Sequence, residues 1–253
     1  MAKYSHILIT GASSGIGEAL AIYYAKNGVK MLSICGRNGE RLEKVAQTCR
    51  HAGAEVNAEI LDITDSSATS AWVKKCNQIS PLNLVFANAG VATLEENSEN
   101  VRRTFNTNVI GVVNTVLPTI DLFKQAPSSQ EKHIAITASI AGYHGMPTCP
   151  SYSASKACVK AWGEGLRLSL RHYGIKVSTI CPGFIRSRIT DKNTCPMPFF
   201  MEAPDAAELI AKRLEKNIGL IAFPWQMRFA TWIVSILPNC ISDFIYSKLP
   251  YKV

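Results

Sequence analysis

The sequence has little that points to a metal site. Its eight cysteines are spread from Cys35 to Cys240, and no two of them are separated by only two residues. None of the five histidines joins them in a zinc-binding pattern. We therefore predict no metal site. Scattered cysteines in apolar surroundings indicate free thiols and a reducing compartment, so the expected location is cytoplasmic.

Long uninterrupted hydrophobic runs are also absent. The first ten residues pass directly into a glycine-rich turn, which predicts a first strand and not a signal peptide. Residues 218–242 are apolar with Arg228 as their only charge, but Pro224 and Pro238 interrupt them. The part between these prolines is shorter than the roughly 20 residues that a helix needs to cross a bilayer.

The sequence also lacks a run of basic residues with interleaved aromatics, the pattern typical of nucleic-acid binding. Its net charge of +8 is spread along the chain. We predict no nucleic-acid partner. A general positive field favours instead anionic small molecules or an anionic membrane surface.

The chain does have enough apolar residues for a large core, since 47% of its 253 residues are hydrophobic. Short apolar runs, each followed by turn residues and a longer helical pattern, stand at 6–10, 30–35, 54–61, 82–87, 133–138 and 176–181. This alternation predicts an α/β fold, a Rossmann-type doubly wound parallel sheet in a single domain, 1–253, with a hydrophobic C-terminal extension. From about 190 to 253 we assign a substrate loop and an apolar C-terminal segment. Ligands of such sheets bind beyond the carboxyl ends of the strands.

The first apolar run leads into the glycine-rich stretch TGASSGIG, and a helical pattern follows. Glycines permit a tight turn and a close backbone approach, and the amino end of a helix offers unpaired N–H groups to a pyrophosphate. A turn with a purely structural role is the alternative, but the place between strand and helix favours a dinucleotide site. The predicted cofactor-binding residues here are Gly11, Ser13, Ser14, Gly15, Ile16 and Gly17.

An acidic residue is missing after the second apolar run, where NAD-binding proteins of this architecture often bind the ribose hydroxyls. The run is followed instead by Gly36 and Arg37. A guanidinium pairs well with a 2′-phosphate, so we predict NADP(H) in preference to NAD(H); an ordinary solvated arginine is the alternative. Asp62 and Ile63, after the third run, are predicted to contact the adenine, although an aspartate here also suits a helix N-cap.

The remaining candidates map to the same rim of the predicted sheet. Asn108 lies inside a predicted helix, where asparagine is unfavourable unless its amide has a task. In the stretch SYSASK, Tyr152 and Lys156 are four residues apart and share a helix face, although an isolated pair of this kind is most often a surface contact. Small or polar residues follow the fourth, fifth and sixth runs: Asn88, Ala89 and Gly90; Ser139; Pro182 and Gly183.

Together and in this order, these motifs resemble those of the classical short-chain dehydrogenase/reductase family over about residues 5 to 190. Two departures are minor, since Ala87 stands where an asparagine is common and Ser187 where a threonine is common. The resemblance implies that the catalytic set is Asn108, Ser139, Tyr152 and Lys156. It also implies that the cofactor contacts Tyr152, Lys156, Pro182, Gly183, Ile185 and Ser187.

The resemblance further implies a role for each catalytic residue. Tyr152 would exchange a proton with the substrate oxygen, while the ammonium of Lys156 would lower the pKa of that phenol and hold the nicotinamide ribose. Ser139 would hydrogen-bond the reacting oxygen, and Asn108 would hold a water that relays protons to Lys156. Small residues between Tyr152 and Lys156 would leave room for substrate and ribose.

The implied function is NADPH-dependent reduction of an apolar or lipid-like ketone, with hydride passing between the nicotinamide and the substrate carbon. The substrate is thus a small carbonyl compound or alcohol. An NADP+-dependent alcohol dehydrogenase acting oxidatively and a non-catalytic cofactor-binding regulator are the alternatives. A homodimer or homotetramer is expected, through the long helices that contain Asn108 and Tyr152.

The carboxyl end leaves two questions open. Residues 194–204 form either an adaptable apolar lid over the substrate or a loop that only packs on the core. Residues with helical spacing form one apolar stripe: Trp225, Phe229, Trp232 and Ile236. This stripe is expected to be covered by the core of the fold, by a second subunit, or by a membrane surface with which the protein makes peripheral contact.

Overall fold

The computed structural model describes residues 3–93, 95–188, 190–192 and 197–247 of the chain. Seven strands form one sheet, and every neighbouring pair is parallel. In chain order the strands are β1 His6–Thr10, β2 Met31–Gly36, β3 Glu55–Ile60, β4 Leu84–Ala87, β5 His133–Thr137, β6 Lys176–Pro182 and β7 Leu220–Phe223. Their order across the sheet is β3-β2-β1-β4-β5-β6-β7. The predicted doubly wound parallel sheet is therefore confirmed.

The six predicted strands correspond to β1 to β6, with differences of at most two residues at either end. The last strand, β7, was not predicted, because its four residues lie inside the apolar stretch 218–242. It pairs with β6, so that Cys181 lies beside Ala222 and Pro182 beside Phe223. The sheet thus extends by one strand on the side where we expected the substrate region.

Helices cover both faces of the sheet and follow its last strand. The described residues form α1 Gly15–Lys26, α2 Gly39–His51, α3 Ser66–Ile79, α4 Ser98–Phe105, α5 Gly111–Gln125, α6 Pro150–Ser169, α7 Ala203–Glu215, α8 Trp225–Ile236 and α9 Asn239–Ser247. A π-helical turn, Asn106–Ile110, joins α4 to α5 without a break, and a 3₁₀ turn, Ile140–Tyr143, follows β5. Three helices begin at side-chain caps, because Asn38, Asp65 and Asn97 each accept a hydrogen bond from a backbone N–H three residues later.

Alternation along the buried strands divides the core into two halves. Ile7, Ile9 and Phe86 lie on the face covered by α1, α2 and α7. Leu8 and Val85 lie on the opposite face, which is covered by α3, α5 and α6. Because both faces are covered by apolar side chains, polar groups that meet a ligand have to lie at an edge of the sheet.

After β7 the chain forms α8 and α9, and the described residues contain no helix long and apolar enough to cross a membrane. The predicted apolar stripe lies on α8 and is at least half exposed, by 70% at Trp225, 54% at Phe229, 50% at Trp232 and 62% at Ile236. The core of this chain does not cover the stripe, so the interpretation as a buried terminal helix is wrong. Residues 194–196 of the predicted lid lie outside the described residues.

Candidate active site

The glycine-rich turn after β1 is shaped by close packing. Gly11 and Gly15 have φ values of +69° and +61°, which other residues rarely adopt. A Cβ at Gly11 would lie 2.7 Å from the Cα of Ala89, and a Cβ at Gly17 would overlap the carbonyl oxygen of Gly11. Side chains are excluded from these positions, so the backbone of the turn is open to a close approach by a ligand.

The start of α1 lacks the side-chain cap that its sequence offers. Ser14 is the N-cap residue and has an extended backbone, but its hydroxyl makes no hydrogen bond to the helix. Ser13 and Ser14 are partly buried, and Ile16 packs on the core below them. The N–H groups of the first turn therefore have no hydroxyl partner from Ser14, an arrangement that suits an anion at this helix end.

Thr10, the last residue of β1, ties the turn to the end of β4. Its hydroxyl accepts hydrogen bonds from the N–H groups of Asn88, at 3.0 Å, and Ala89, at 3.1 Å. The side-chain amide of Asn88 donates to the Thr10 carbonyl at 3.1 Å, and its oxygen accepts from the Thr137 hydroxyl at 3.2 Å. Asn88 thus connects β1, β4 and β5. Sequence reasoning assigned no role to Thr10, because the partners of its hydroxyl follow a strand that is distant in the chain.

The residues predicted for the adenosine end lie together after β2 and β3. Arg37 and Asp62 face each other at 3.8 Å, and both side chains are about half exposed. Burial acts to raise the pKa of Asp62, but hydrogen bonds from Thr64 and the charges of Arg37 and Arg103 bring it below its ordinary value. The alternative prediction, that Asp62 is a helix N-cap, is wrong. The N-cap of α3 is Asp65, and Asp62 accepts hydrogen bonds from Thr64 instead.

Asn114, which sequence reasoning missed, holds the loop after β3 in place. Asn114, buried on α5, donates from its amide to the carbonyl oxygen of Ile63 at 2.9 Å. Ile63 is itself 96% buried, because it packs against Gly111, where a Cβ would overlap its side chain. A buried asparagine within a helix is the same signal that singled out Asn108, and here it identifies a structural anchor.

The α6 helix brings Tyr152 and Lys156 to the carboxyl edge of β5. Tyr152 is partly buried, and Lys156 is buried and donates from its Nζ to the carbonyl oxygen of Thr137 at 2.9 Å. The Nζ atom lies 5.8 Å from the centre of the Tyr152 ring. Burial lowers the pKa of the Lys156 ammonium to about 8. The two side chains therefore lie on one face, as their spacing predicts.

The direction of the pKa shift at Tyr152 differs from the expectation. Burial raises the pKa of this phenol to about 12, and a hydrogen bond with Ser139 lowers it only in part. The expectation rested on the Lys156 ammonium alone, and here burial outweighs every effect that favours the phenolate. Ser139 itself caps the 3₁₀ turn after β5, since its hydroxyl accepts from the N–H of Ala141 at 3.1 Å.

Asn108 lies in the π-helical turn between α4 and α5, with its side chain fully buried. Its amide oxygen accepts from the N–H of Val91 at 2.8 Å, and its nitrogen donates to the Val91 carbonyl at 2.9 Å and to the Ser155 hydroxyl at 3.0 Å. The amide thus fixes the loop after β4 to α6. The predicted water relay through Asn108 stays a prediction.

The serines of SYSASK have a role that the sequence did not indicate. Ser151, Ser153 and Ser155 are all at least 95% buried. Each bonds to a different segment, since Ser153 accepts from the N–H of Met146 at 3.2 Å and Ser155 accepts from Asn108. Small residues in this stretch therefore serve close packing of α6 against its neighbours. The prediction that small residues between Tyr152 and Lys156 leave room for substrate and ribose is not supported at Ser153 and Ser155, which are buried.

The turn after β6 completes the rim. The N–H of Gly183 donates to the carbonyl oxygen of Phe223 at 2.8 Å, and a Cβ on Gly183 would lie 2.9 Å from the sulfur of Met227. Sequence reasoning missed both β7 and Met227 as neighbours of this turn. Pro182 is the last residue of β6 and is buried.

Ile185 and Ser187 follow this turn. Ile185 is buried and pairs with Met201, so this end of the predicted lid packs on the core. The backbone N–H of Ser187 donates to the Thr190 hydroxyl at 2.8 Å. A Cβ on Gly15 would lie 3.0 Å from that of Ser187, so the two ends of the predicted cofactor site meet.

In the described part of the chain, the cysteine, histidine and acidic side chains form neither a disulfide nor a metal site. All seven cysteines in the described part of the chain are free, and Cys195 lies outside it. The described residues contain no group of three or more His, Cys, Asp or Glu side chains placed to hold a metal ion.

Comparison with known proteins places this geometry in a family. The sequence model described as "short chain dehydrogenase" matches residues 5–196. An uncharacterized oxidoreductase of Myxococcus xanthus is 36% identical over 252 residues, which cover 98% of each chain.

Solved structures share the fold. A short chain dehydrogenase/reductase from Burkholderia phymatum, in complex with NAD, has a TM-score of 0.81 and 25% identity over 95% of each chain. A short-chain dehydrogenase from Sphingobium yanoikuyae, in complex with NADPH, has a TM-score of 0.79 and 23% identity over 97% of this chain and 96% of that one. This chain belongs to the short-chain dehydrogenase/reductase family of oxidoreductases.

Proposed function

We propose that this protein uses NADP(H) to transfer hydride between the nicotinamide and a carbonyl or alcohol carbon, and that it reduces apolar ketones. The observation that carries the proposal is the convergence of Ser139, Tyr152 and Lys156 at the rim that also holds the glycine turn. A hydroxyl, a phenol and an ammonium together suit proton transfer to an oxygen that becomes negatively charged.

The residues of the rim fit a dinucleotide. The turn from Gly11 to Gly17 excludes side chains and offers backbone N–H groups, and would hold the pyrophosphate. A Cβ on Gly90 would lie 3.2 Å from the Asn108 amide oxygen and 3.3 Å from Lys156 Nζ, so a bare backbone borders these polar groups. The other assigned residues are Asp62 and Ile63 at the adenine; Asn88, Ala89, Gly90, Tyr152 and Lys156 at the nicotinamide ribose; and Pro182, Gly183, Ile185 and Ser187 at the nicotinamide.

Preference for NADP(H) over NAD(H) is supported by the residues after β2. The position of an acidic residue is taken by Gly36, whose Cβ would lie 3.0 Å from the Ser13 hydroxyl, so a larger side chain would be crowded. Arg37 is about half exposed and its contact with Asp62 is long, at 3.8 Å. Exposed ion pairs of this kind contribute only about 0–1 kcal/mol, so the guanidinium can turn to a 2′-phosphate at little cost.

The protein side of the chemistry follows from the site. The cofactor, when bound, supplies the hydride. Tyr152 donates its proton to the carbonyl oxygen, Ser139 donates a hydrogen bond to the same oxygen, and the Lys156 ammonium stabilises the phenolate that remains. A phenol of ordinary pKa, about 10, is already protonated near neutral pH, and burial, which raises the pKa of Tyr152 to about 12, acts in the same direction. Carbonyl reduction needs this form, whereas oxidation of an alcohol needs the phenolate.

An apolar substrate is supported by the wall beside Gly183. Met227 of α8 approaches this turn closely, and Tyr143 lies partly buried in the 3₁₀ turn that begins after Ser139. A methionine and an aromatic ring at the edge of a site suit an apolar ligand of variable shape.

We also propose a cytoplasmic location with peripheral membrane contact through α8 and α9. α9 also exposes apolar side chains, since Ile241 is 45% and Phe244 is 65% exposed. Arg228 is the only charged residue from 217 to 242, and the whole chain carries a net charge of +8. α8 carries aromatic side chains and no acidic residue, and α9 carries a single one, Asp243, so α8 in particular suits an anionic lipid surface.

A homodimer or homotetramer is part of the same proposal. Three apolar side chains on the continuous helix from α4 to α5 are exposed, namely Phe105, Ile110 and Leu117. This surface is separate from α8 and α9 in the chain. Subunits that associate through the long helices would therefore leave the exposed stripe available for another contact.

A series of straight-chain 2-alkanones from 2-butanone to 2-dodecanone tests the proposal, with NADPH absorbance as the readout. We expect turnover that rises with chain length and is faster with NADPH than with NADH. Oxidation of the matching 2-alkanols by NADP+ in preference to ketone reduction would favour the alcohol dehydrogenase. Binding of NADPH without turnover in either direction would favour the non-catalytic regulator.

A further inference from the structure

Two described parts of the connection between β4 and α4, residues 88–93 and 95–97, are each fastened to α6. In the first part, Asn108 bonds to both backbone groups of Val91 and also to the Ser155 hydroxyl. In the second part, the carboxylate of Glu96 accepts from the N–H of Ser151 at 3.0 Å and from the Ser151 hydroxyl at 2.8 Å. Ser151 and Ser155 are four residues apart, so both contacts use one face of α6.

Glu96 supplies a cap that α6 lacks within its own segment. The side chain of the N-cap residue, Cys149, contacts the Ser153 hydroxyl but accepts no hydrogen bond from a backbone N–H of the helix, and Pro150 follows it. Ser151 is among the first residues of the helix, whose N–H groups have no partner inside it. A carboxylate at this point satisfies the N–H group and interacts favourably with the helix dipole.

The capped residue is the direct neighbour of Tyr152. Ser151 is 95% buried, so its contact with Glu96 is shielded although Glu96 itself is exposed. We propose that Glu96 is a positioning residue for the proton transfer by Tyr152: it holds the amino end of α6 against residues 95–97, which precede α4, and so fixes the phenol beside the nicotinamide. Glu96 acts through Ser151 and contacts neither substrate nor cofactor. The proposal rests on the role of Tyr152 in the proposed function.

The test compares three variants of the full chain. Glu96→Ala removes the acceptor, and Glu96→Gln keeps one acceptor oxygen without the charge. Glu95→Ala is the matched control, because Glu95 is the preceding residue, is also exposed, and bonds to Asn97. Three quantities are measured: amide hydrogen exchange of residues 151–155, the Kd of NADPH, and kcat and KM for the 2-alkanone that the unmodified protein reduces fastest.

We expect Glu96→Ala to speed the exchange at residues 151–155 and to lower kcat about tenfold, the scale of one lost hydrogen bond to a charged group. The Kd of NADPH should stay within about twofold. Glu96→Gln should recover kcat to within about threefold of the unmodified protein, and Glu95→Ala should match it. Ser151→Ala added to Glu96→Ala should cause no further loss, since both changes remove the same contact.

Two results would overturn the positioning role. One is a Glu96→Ala protein with the exchange and kcat of Glu95→Ala. The other is equal loss in Glu96→Ala and Glu96→Gln with a lowered Tm, which would indicate a contact needed only for folding. Tyr152→Phe, assayed in parallel, separates the two proposals: if it turns over normally, the proposed function fails, whereas an inactive Tyr152→Phe beside a normal Glu96→Ala refutes the positioning role alone.

Discussion

The hydroxyl of Tyr152 is the atom whose removal separates binding from chemistry. Tyr152→Phe keeps the ring in place, so we expect the Kd of NADPH to be nearly unchanged. Loss of the transferable proton should lower kcat by about 10²- to 10⁴-fold. Fluorescence titration of NADPH and the 2-alkanone assay measure the two effects. Tyr173→Phe, at a surface phenol after α6, is the control, and turnover near that of the control would refute the role of Tyr152.

Arg37 should determine the choice of cofactor. We expect the unmodified protein to bind NADPH more tightly than NADH, and Arg37→Ala to weaken NADPH about ten- to a hundredfold while NADH changes little. Arg50→Ala is the matched control, because Arg50 lies at the far end of α2, where it pairs with Glu43. Equal affinities for the two cofactors in the unmodified protein would contradict the assignment.

At the scale of single residues, the sequence was informative where partners are close in the chain. Tyr152 and Lys156 could be predicted to share a face because a helix repeats every 3.6 residues. The contacts of Ser151 and Ser155 could not, because Glu96 and Asn108 reach them from other segments. The direction of the Tyr152 pKa shift was missed for a related reason, since burial depends on the whole fold and not on the neighbour four residues away.

Among the elements, β5 begins with a buried residue that should make stability depend on pH. His133 bonds to the Tyr4 hydroxyl at 2.9 Å and to the Ser178 hydroxyl at 2.9 Å. Burial, with the charges of Lys176, Lys3 and Arg167, lowers the pKa of His133 to about 3. The unfolded chain takes up this proton near pH 6.5. The contribution of neutral His133 to the free energy of unfolding is therefore fully present above pH 6.5 and is lost as the pH falls towards 3.

We expect the free energy of unfolding to drop by about 2 kcal/mol at pH 5 through this residue alone. Urea unfolding at pH 5 and pH 7.5 measures the drop. His133→Asn should be less stable at both pH values but should lose this part of the pH dependence. His172→Asn, at an exposed histidine, should keep the full drop, and so it serves as the control. An unaltered pH dependence in His133→Asn would show that other groups are responsible.

The elements themselves were predicted unevenly. Strands β1 to β6 are short apolar runs between turn signals, so their positions follow from the sequence. In contrast, β7 is four residues long and continues into the apolar α8, and hydrophobicity alone does not divide a strand from a helix in such a stretch. The π-helical turn at Asn106–Ile110 was also missed, because its extra residue leaves no mark on the spacing of apolar side chains.

For the whole molecule, the stripe on α8 predicts binding to anionic vesicles. We expect the full chain to float with phosphatidylglycerol vesicles at low salt and less so at high salt. Trp225→Ser, Phe229→Ser and Trp232→Ser in one chain should abolish flotation, because they remove three exposed aromatic side chains from one face. Ile79→Ser removes an equally exposed apolar side chain on α3 and should leave flotation unchanged.

The apolar stripe on α8 could instead be covered by a second subunit. The molar mass of the same proteins in solution tests this alternative. A triple variant with a smaller assembly than the unmodified protein, together with no flotation of either, would make the stripe a subunit interface. An unchanged mass with lost flotation supports the lipid contact.

The late position of β7 in the chain has a consequence for synthesis. When residues up to 217 have left the ribosome, all the residues assigned to the cofactor are already made, but the outer edge of β6 has no partner. That edge is apolar and buried in the finished molecule, and an unpaired strand of this kind readily joins strands of other chains. The growing chain is thus most open to aggregation in the short interval before Leu220–Phe223 appears, and a stop codon there should yield an insoluble product.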